Sequence, residues 1–200
     1  GNMDPWPGPE LPCEFGDNPL TEEYDPFECQ NKLVGGWTFL DTYHNQVGDE
    51  QFPGTARDDN GHGTHTMGTA AGNALESAPV MGADHGPLQG VAPGAWVIMY
   101  RVCGPQGCYS SDSAQAVAQA VQDGVDVINF SISGGTSPFT DPVELAFLDA
   151  YAAGVFVAAS GGNDGPTAAT VDHVQCHGRF PPNLNLLVVI KDQGLFYLQP

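Results

Sequence analysis

Val125-Asp126-Val127-Ile128-Asn129-Phe130 opens the stretch whose reading decides the fold. It is a short, nearly continuous apolar run, the pattern of a strand buried on both faces. Ser131-Ile132-Ser133-Gly134-Gly135 follows as a glycine turn. Asp141-Pro142-Val143-Glu144 then combines an N-cap residue, a proline at the first helical position and an acid at the third. That pattern predicts a helix burying Val143, Phe147 and Tyr151 and ending at Gly154. Val155-Phe156-Val157-Ala158-Ala159 reads as the next buried strand. Working outward, Trp96-Val97-Ile98-Met99-Tyr100-Arg101-Val102 is an earlier one. Ser111-Asp112 can cap a helix running to about residue 123, with Ala114, Val117, Ala118 and Val121 on one face and Gly124 at its end.

The order is β-α-β-α-β, with strands too apolar to face water. This predicts an α/β fold: a parallel sheet, right-handed crossovers and helices on both faces. Leu33 to Phe39 reads as a further strand. In such sheets, sites form at the carboxyl ends of the strands. Three loops emerge there, at 103–110, 131–140 and 160–166, all rich in Gly and small polar residues.

The chain has 200 residues, with 5 Lys+Arg against 24 Asp+Glu and a net charge of -19. So few cations cannot neutralise a run of phosphates, which excludes nucleic acid as a partner, and they exclude polybasic attachment to a membrane. No apolar run reaches the length of a bilayer-spanning helix. Thirteen of the acids lie in residues 1–60. They read as a solvated acidic surface. Calcium binding is the weaker reading, because no Asp-x-Asp-x-Asp-Gly loop occurs. The cysteines are Cys13, Cys29, Cys103, Cys108 and Cys176. The first four fall into two local pairs. Two disulfides in an oxidising compartment is the preferred reading, free buried thiols the alternative, and Cys176 is left odd.

Asp58-Asp59-Asn60-Gly61-His62-Gly63-Thr64-His65 is the most informative polar stretch. The first four residues are a turn signal. Glycines on both sides leave the His62 ring approachable, and an imidazole titrates near neutrality, as a general base requires. Metal binding by His62 and His65 competes with this, but no His-Glu-x-x-His pattern and no third ligand accompany it. The small residues from His62 to Asn73 suit a helix packed tightly inside a core. Downstream, the strand ending at Ala159 runs into Ser160-Gly161-Gly162-Asn163. An amide side chain held there can donate to a developing oxyanion. The strand end at 129–135 can pair with an extended peptide by strand addition. Each feature alone is equally well an ordinary turn or cap.

Together they are recognisable. His62-Gly63-Thr64-His65 with Thr66 to Gly72, Gly90-Val91-Ala92-Pro93-Gly94-Ala95, Asp123 through Gly135, and Gly154 through Pro166 resemble, in order, four motifs of the subtilisin-like serine peptidases, the subtilases. Residues 13–43 are similar to the cysteine-bearing stretch of larger secreted members. The resemblance covers roughly residues 30–170. It implies a subtilisin-like fold and a secreted endopeptidase working by Asp-His-Ser acyl transfer, without a cofactor. His62 would be the general base and Asn163 the oxyanion donor. A polypeptide substrate would lie between Cys103, Gly104, Pro105 on one side and Ser131, Ile132, Ser133, Gly134 on the other. Ala159, Ser160 and Gly161 would complete the pocket for the residue before the cleaved bond. A propeptide is a further implied partner.

The chain departs from the family pattern in two ways. No Asp-Ser-Gly or Asp-Thr-Gly precedes the histidine, and the lone Gly135-Thr136-Ser137 precedes the asparagine motif, where it reads as a turn. The expectation is an incomplete catalytic domain over 1–174, with 1–30 an acidic irregular lead-in, inactive by itself. Beyond residue 174 the pattern fades. Residues 175–200 are read as a divergent tail, arising from a change of reading frame or from a genuine hairpin around Lys191-Asp192-Gln193-Gly194. Two rivals stand beside the peptidase reading: a non-catalytic peptide-binding module of the same fold, and a metal-dependent hydrolase.

Overall fold

A computed structural model describes residues 3–18, 22–48, 54–173 and the strand at 186–191. Its elements are, in order, β1 (Leu33–Thr38), α1 (Asp41–Val47), α2 (His62–Ala71), β2 (Pro79–Val80), β3 (Ala83–Asp84), β4 (Trp96–Arg101), β5 (Cys103–Gly104), β6 (Gly107–Cys108), α3 (Ser110–Gln122), β7 (Val127–Phe130), α4 (Pro142–Ala152), β8 (Phe156–Ala159) and β9 (Leu186–Lys191). Five strands form one sheet in the order β1-β4-β9-β7-β8. Every pairing in it is parallel. The expected α/β architecture with a parallel sheet is what the chain adopts.

Alternation along β4 shows how the core is divided. Ile98 and Tyr100 belong to a cluster that includes Ala116, Val117 and Ala120 of α3 and Val143, Phe147 and Ala150 of α4. Val97 and Met99 belong to the opposite cluster, with Ala71, Met67 and Ala70 of α2 and Phe15 of the lead-in. Successive side chains of a strand point to opposite faces, so the sheet is covered by helices on both sides. Of the small residues of α2, Gly63 and Ala71 are the buried ones, and Ala71 packs in that second cluster.

β9 is last in sequence and central in space. It lies between β4 and β7, with Arg101 opposite Lys191 and Phe130 opposite Ile190. The crossover from β4 through α3 to β7 therefore steps over one strand position. The unbroken apolar sequence from Leu186 to Ile190 suits a seat with neighbours on both sides. The segment at 174–185, Cys176 and the turn around 191–194, where a tail and a hairpin are expected, fall outside the described residues apart from Lys191.

Two helix details differ from expectation. Tyr151 is exposed; α4 buries Ala150 instead. Stepping i+3 from Phe147 rather than i+4 places a small residue in the cluster that α4 shares with α3. The buried face of α3 is Asp112, Ser113, Ala116, Val117 and Ala120, with Ala118 outside. Asp112 does not cap its own helix. Its carboxylate accepts from the Thr42 and Tyr43 backbone amides, at 3.0 and 2.9 Å, and so caps α1 from across the fold. The start of α4 follows the expected design: the Asp141 carboxylate accepts from Val143 N at 2.8 Å and Glu144 N at 3.4 Å. Cys13–Cys29 and Cys103–Cys108 are both disulfides, with Cα atoms 5.9 and 4.2 Å apart.

Candidate active site

His62 is the first residue of α2, and the turn before it is built around one carboxylate. Asp58 is buried. Its Oδ1 accepts from Asn60 N at 3.1 Å and Gly61 N at 2.8 Å. Its Oδ2 accepts from Thr64 N at 2.8 Å and Thr64 Oγ1 at 2.6 Å. Two amides of the turn, one amide of the first turn of α2 and a hydroxyl thus converge on one carboxylate. Gly61 sits at φ 96°, a left-handed conformation that a side chain would resist. His62 is half-buried, whereas His65 is exposed.

The far end of α2 fixes its direction. Gly90 N donates to Gly72 O, Val91 N to Thr69 O and Ala92 N to Ala70 O, all within 3.0 Å. Residues 90–92 lead into the amino end of β4, so the His62 end lies toward the carboxyl end of β4. There the buried Arg101 closes the arrangement. Its Nη2 pairs with Asp59 Oδ2 at 2.8 Å, its Nε donates to Cys103 O at 3.1 Å, and its Nη1 donates to Thr55 O at 3.3 Å and to Arg57 O. Arg101 thus locks the turn that presents His62, a role its sequence position inside a strand does not announce.

The second wall comes from the ends of β7 and β8. Phe130 pairs with Ala159 in register, and the chain continues on both sides in contact. Ser160 N donates to Phe130 O, and Ser160 Oγ donates to Ile132 O, each at 2.9 Å. Asn129 Nδ2 donates to Ser131 Oγ at 2.9 Å. The Ile132 side chain is buried, while Ser133, Gly134, Gly161 and Asn163 are exposed. The structure thus brings 131–134 and 159–161 together, with Asn163 just beyond the end of β8.

The third wall is the β5–β6 hairpin. Cys103 pairs with Cys108 in register and is bonded to it. Cys103 and Gly104 are buried and Pro105 is exposed. Gly104 packs flat on the ring of Tyr43, where a Cβ would strike the ring carbons. The Tyr43 hydroxyl accepts from Gln106 N at 3.3 Å. The hairpin therefore rests on α1, and α1 on Asp112. Cys108, Tyr109, Ser133, Gly134 and His173 border a cavity of about 60 Å³. A larger cavity, about 480 Å³, lies beside Cys13–Cys29, and none of the expected site residues lines it. Chemistry, not volume, marks the carboxyl edge as the candidate site. Among the described residues no group of three or more His, Cys, Asp or Glu could hold a metal ion, and no helix is long and apolar enough to cross a membrane.

A family model described as "Subtilase family" matches residues 28–191. Subtilisin-like protease SBT1.7 of Arabidopsis thaliana is 37% identical over 166 residues, 81% of this chain and 21% of its own length. Subtilisin-like protease SBT1.3 of the same plant is 41% identical over 166 residues, with the same shares of 81% and 21%. Subtilisin-like protease Glyma18g48580 of Glycine max is 38% identical over 156 residues, 73% of this chain and 20% of the relative. The chain spans about a fifth of the length of the curated relatives it matches.

Proposed function

The chain belongs to the subtilase family, and from that premise we propose that it forms the histidine- and asparagine-bearing part of a serine endopeptidase domain. His62 takes the proton of a serine nucleophile and returns it to the leaving amine. Asn163 donates to the oxyanion of the tetrahedral intermediate. An extended polypeptide substrate lies between Cys103-Gly104-Pro105 and Ser131-Ile132-Ser133-Gly134, with Ala159, Ser160 and Gly161 lining the pocket for the residue before the cleaved bond. The observation that carries this reading is the placement of His62. The Asp58 turn and Arg101 hold it at the same sheet edge from which the 131–134 and 160–163 loops emerge.

These 200 residues contain neither the aspartate motif nor the serine motif, so by themselves they form no acyl-enzyme. Two disulfides fit work in an oxidising, extracellular compartment. A peptide-binding module without catalysis is the second reading, and the 103–105 and 131–134 segments serve it equally. A serine-directed fluorophosphonate probe tests the first reading. The 200-residue chain should remain unlabelled. A longer gene product carrying both missing motifs should label stoichiometrically and lose labelling on His62→Ala. A longer product that lacks both motifs and still binds peptide would favour the second reading.

A further inference from the structure

Beyond the residues just assigned, one buried polar group is unusual: His173, held by Glu144. Glu144 is fully buried on α4 and His173 nearly so. His173 Nδ1 lies 2.6 Å from Glu144 Oε1 and Nε2 lies 2.8 Å from the carbonyl oxygen of Ile132. A carbonyl oxygen only accepts, so Nε2 carries a proton and donates it to Ile132. The ring is also packed between Phe130 and Phe147, with centroids 5.3 and 5.5 Å away. Burying a carboxylate and an imidazole is costly unless the geometry is needed for something.

The backbone around His173 is equally committed. Its φ is 52°, a left-handed conformation uncommon for a residue with a side chain. Such conformations persist only where surroundings over-determine them. Here the surroundings are the two glycine-rich loops. His173 N donates to Gly134 O at 3.2 Å and Gly134 N donates to Asp172 Oδ2 at 3.1 Å. Asp172 N donates to Gly161 O at 3.3 Å. Gly135, at φ 70°, passes so close that a Cβ would meet Glu144 Oε1 and His173 Nδ1.

We propose that Asp172 and His173, backed by Glu144, are positioning residues that fix the backbone of residues 132–135 against the 160–163 loop. They touch no substrate. They hold one of the two backbones between which a peptide would lie, residues 131–134, so the inference rests on the peptide-binding reading for its consequence. The lattice of bonds is long-range: His173 reaches 29 residues back to Glu144 and 41 back to Ile132.

The test uses the intact 200-residue chain and two readouts, backbone hydrogen exchange at residues 132–135 and affinity for a fluorescein-labelled acetyl-Ala-Ala-Ala-Phe amide. Three variants separate positioning from folding. Glu144→Gln still offers Nδ1 a hydrogen-bond partner. His173→Ala removes both side-chain bonds of the ring. The double variant Glu144→Leu with His173→Phe replaces both buried partners by apolar groups, which keeps the core filled. Glu144→Gln should exchange and bind like the parent. In the double variant, with cooperative unfolding retained, exchange at Gly134 and Gly135 should accelerate about tenfold or more, and peptide affinity should fall about tenfold. His173→Ala should do the same if it folds. A folded double variant whose Gly134 amide exchanges at the parent's rate would overturn the assignment. If the parent chain binds no peptide, the peptide-binding reading fails on that count, while the exchange rates still decide whether these residues position the segment.

Discussion

Asp58 and Thr64 are joined twice: Asp58 Oδ2 accepts from the Thr64 amide at 2.8 Å and from its hydroxyl at 2.6 Å. The carboxylate lies before the helix and the threonine inside its first turn, with His62 between them. The turn therefore cannot move without breaking both bonds, and the imidazole inherits that rigidity.

Removing this carboxylate should loosen the start of α2. Asp58→Ala strands buried amides at the helix start, and a lost cap of this kind costs about 1–2 kcal/mol. Urea unfolding checks the value. Asp58→Asn, which keeps one acceptor oxygen, should fall between Ala and the parent.

Arg101 and Asp59 should respond unequally. The guanidinium is buried at 2% exposure, while Asp59 is 45% exposed. Arg101→Met leaves the carbonyls of Cys103, Thr55 and Arg57 without their donor and should cost about 3 kcal/mol or more. Asp59→Asn loses a half-exposed partner and should cost under about 1 kcal/mol. Chemical denaturation of the two variants, measured in parallel, decides the order.

The two disulfides should also differ. Cys13–Cys29 closes a separation of 16 residues and Cys103–Cys108 one of 5. On the chain-entropy account, replacing the first pair with Ser costs about 3 kcal/mol and the second about 2 kcal/mol. Equal losses in urea melts of the two double variants would contradict that account. Loss of the shorter bridge should in addition weaken the hairpin wall at 103–108.

Stability should rise and then fall across the alkaline range. Burial lowers Lys32 from 10.5 to about 8, even though its Nζ donates to Pro93 O and Ala95 O. Below about pH 8 the folded chain bears the full penalty of a charged, partly buried ammonium. Between about 8 and 10.5 the folded state sheds that proton more readily than the unfolded state, so stability climbs. Tyr100 acts oppositely. Burial first, and the hydrogen bond and charge of Asp123 next, hold its phenol well above the ordinary tyrosine range. Its contribution is fully present below the unfolded value near 10.0 and is lost as the pH rises past it. Unfolding free energy measured from pH 7 to 11 should show the climb vanish in Lys32→Met and the decline vanish in Tyr100→Phe.

What is legible in the sequence follows from local pattern. The strands at 96–101 and 127–130 show as apolar runs because a parallel sheet buries both faces; the run at 156–159 is equally apolar, but at the end of the strand order it buries only Val157 and leaves Ala158 exposed. The Asp141-Pro142 start of α4 shows because its cap is made within four residues. The burial of Ala150 over Tyr151 does not show, since helical spacing permits either and only the contact with α3 decides. Arg101 reads as a strand residue because its partners lie 42 to 46 residues earlier, apart from Cys103. Asp112 reads as a cap of its own helix, although its partners are 69 and 70 residues away. His173 carries no periodic signal at all. Its partners lie on α4 and at the end of β7, and only the folded sheet brings them to it.

The proposed reading is that this stretch supplies the base and the oxyanion donor of a serine endopeptidase. Its most direct test is the rate of peptide hydrolysis by a longer gene product that contains these residues together with the aspartate and serine motifs. Removing the histidine costs subtilisin about 10⁶ in kcat, and a loss of that order is expected for His62→Ala. Loss of one oxyanion donor costs subtilisin about 10²–10³, and Asn163→Ala should fall in that range with KM little changed. Hydrolysis that persists at the parent's rate in His62→Ala would contradict the account.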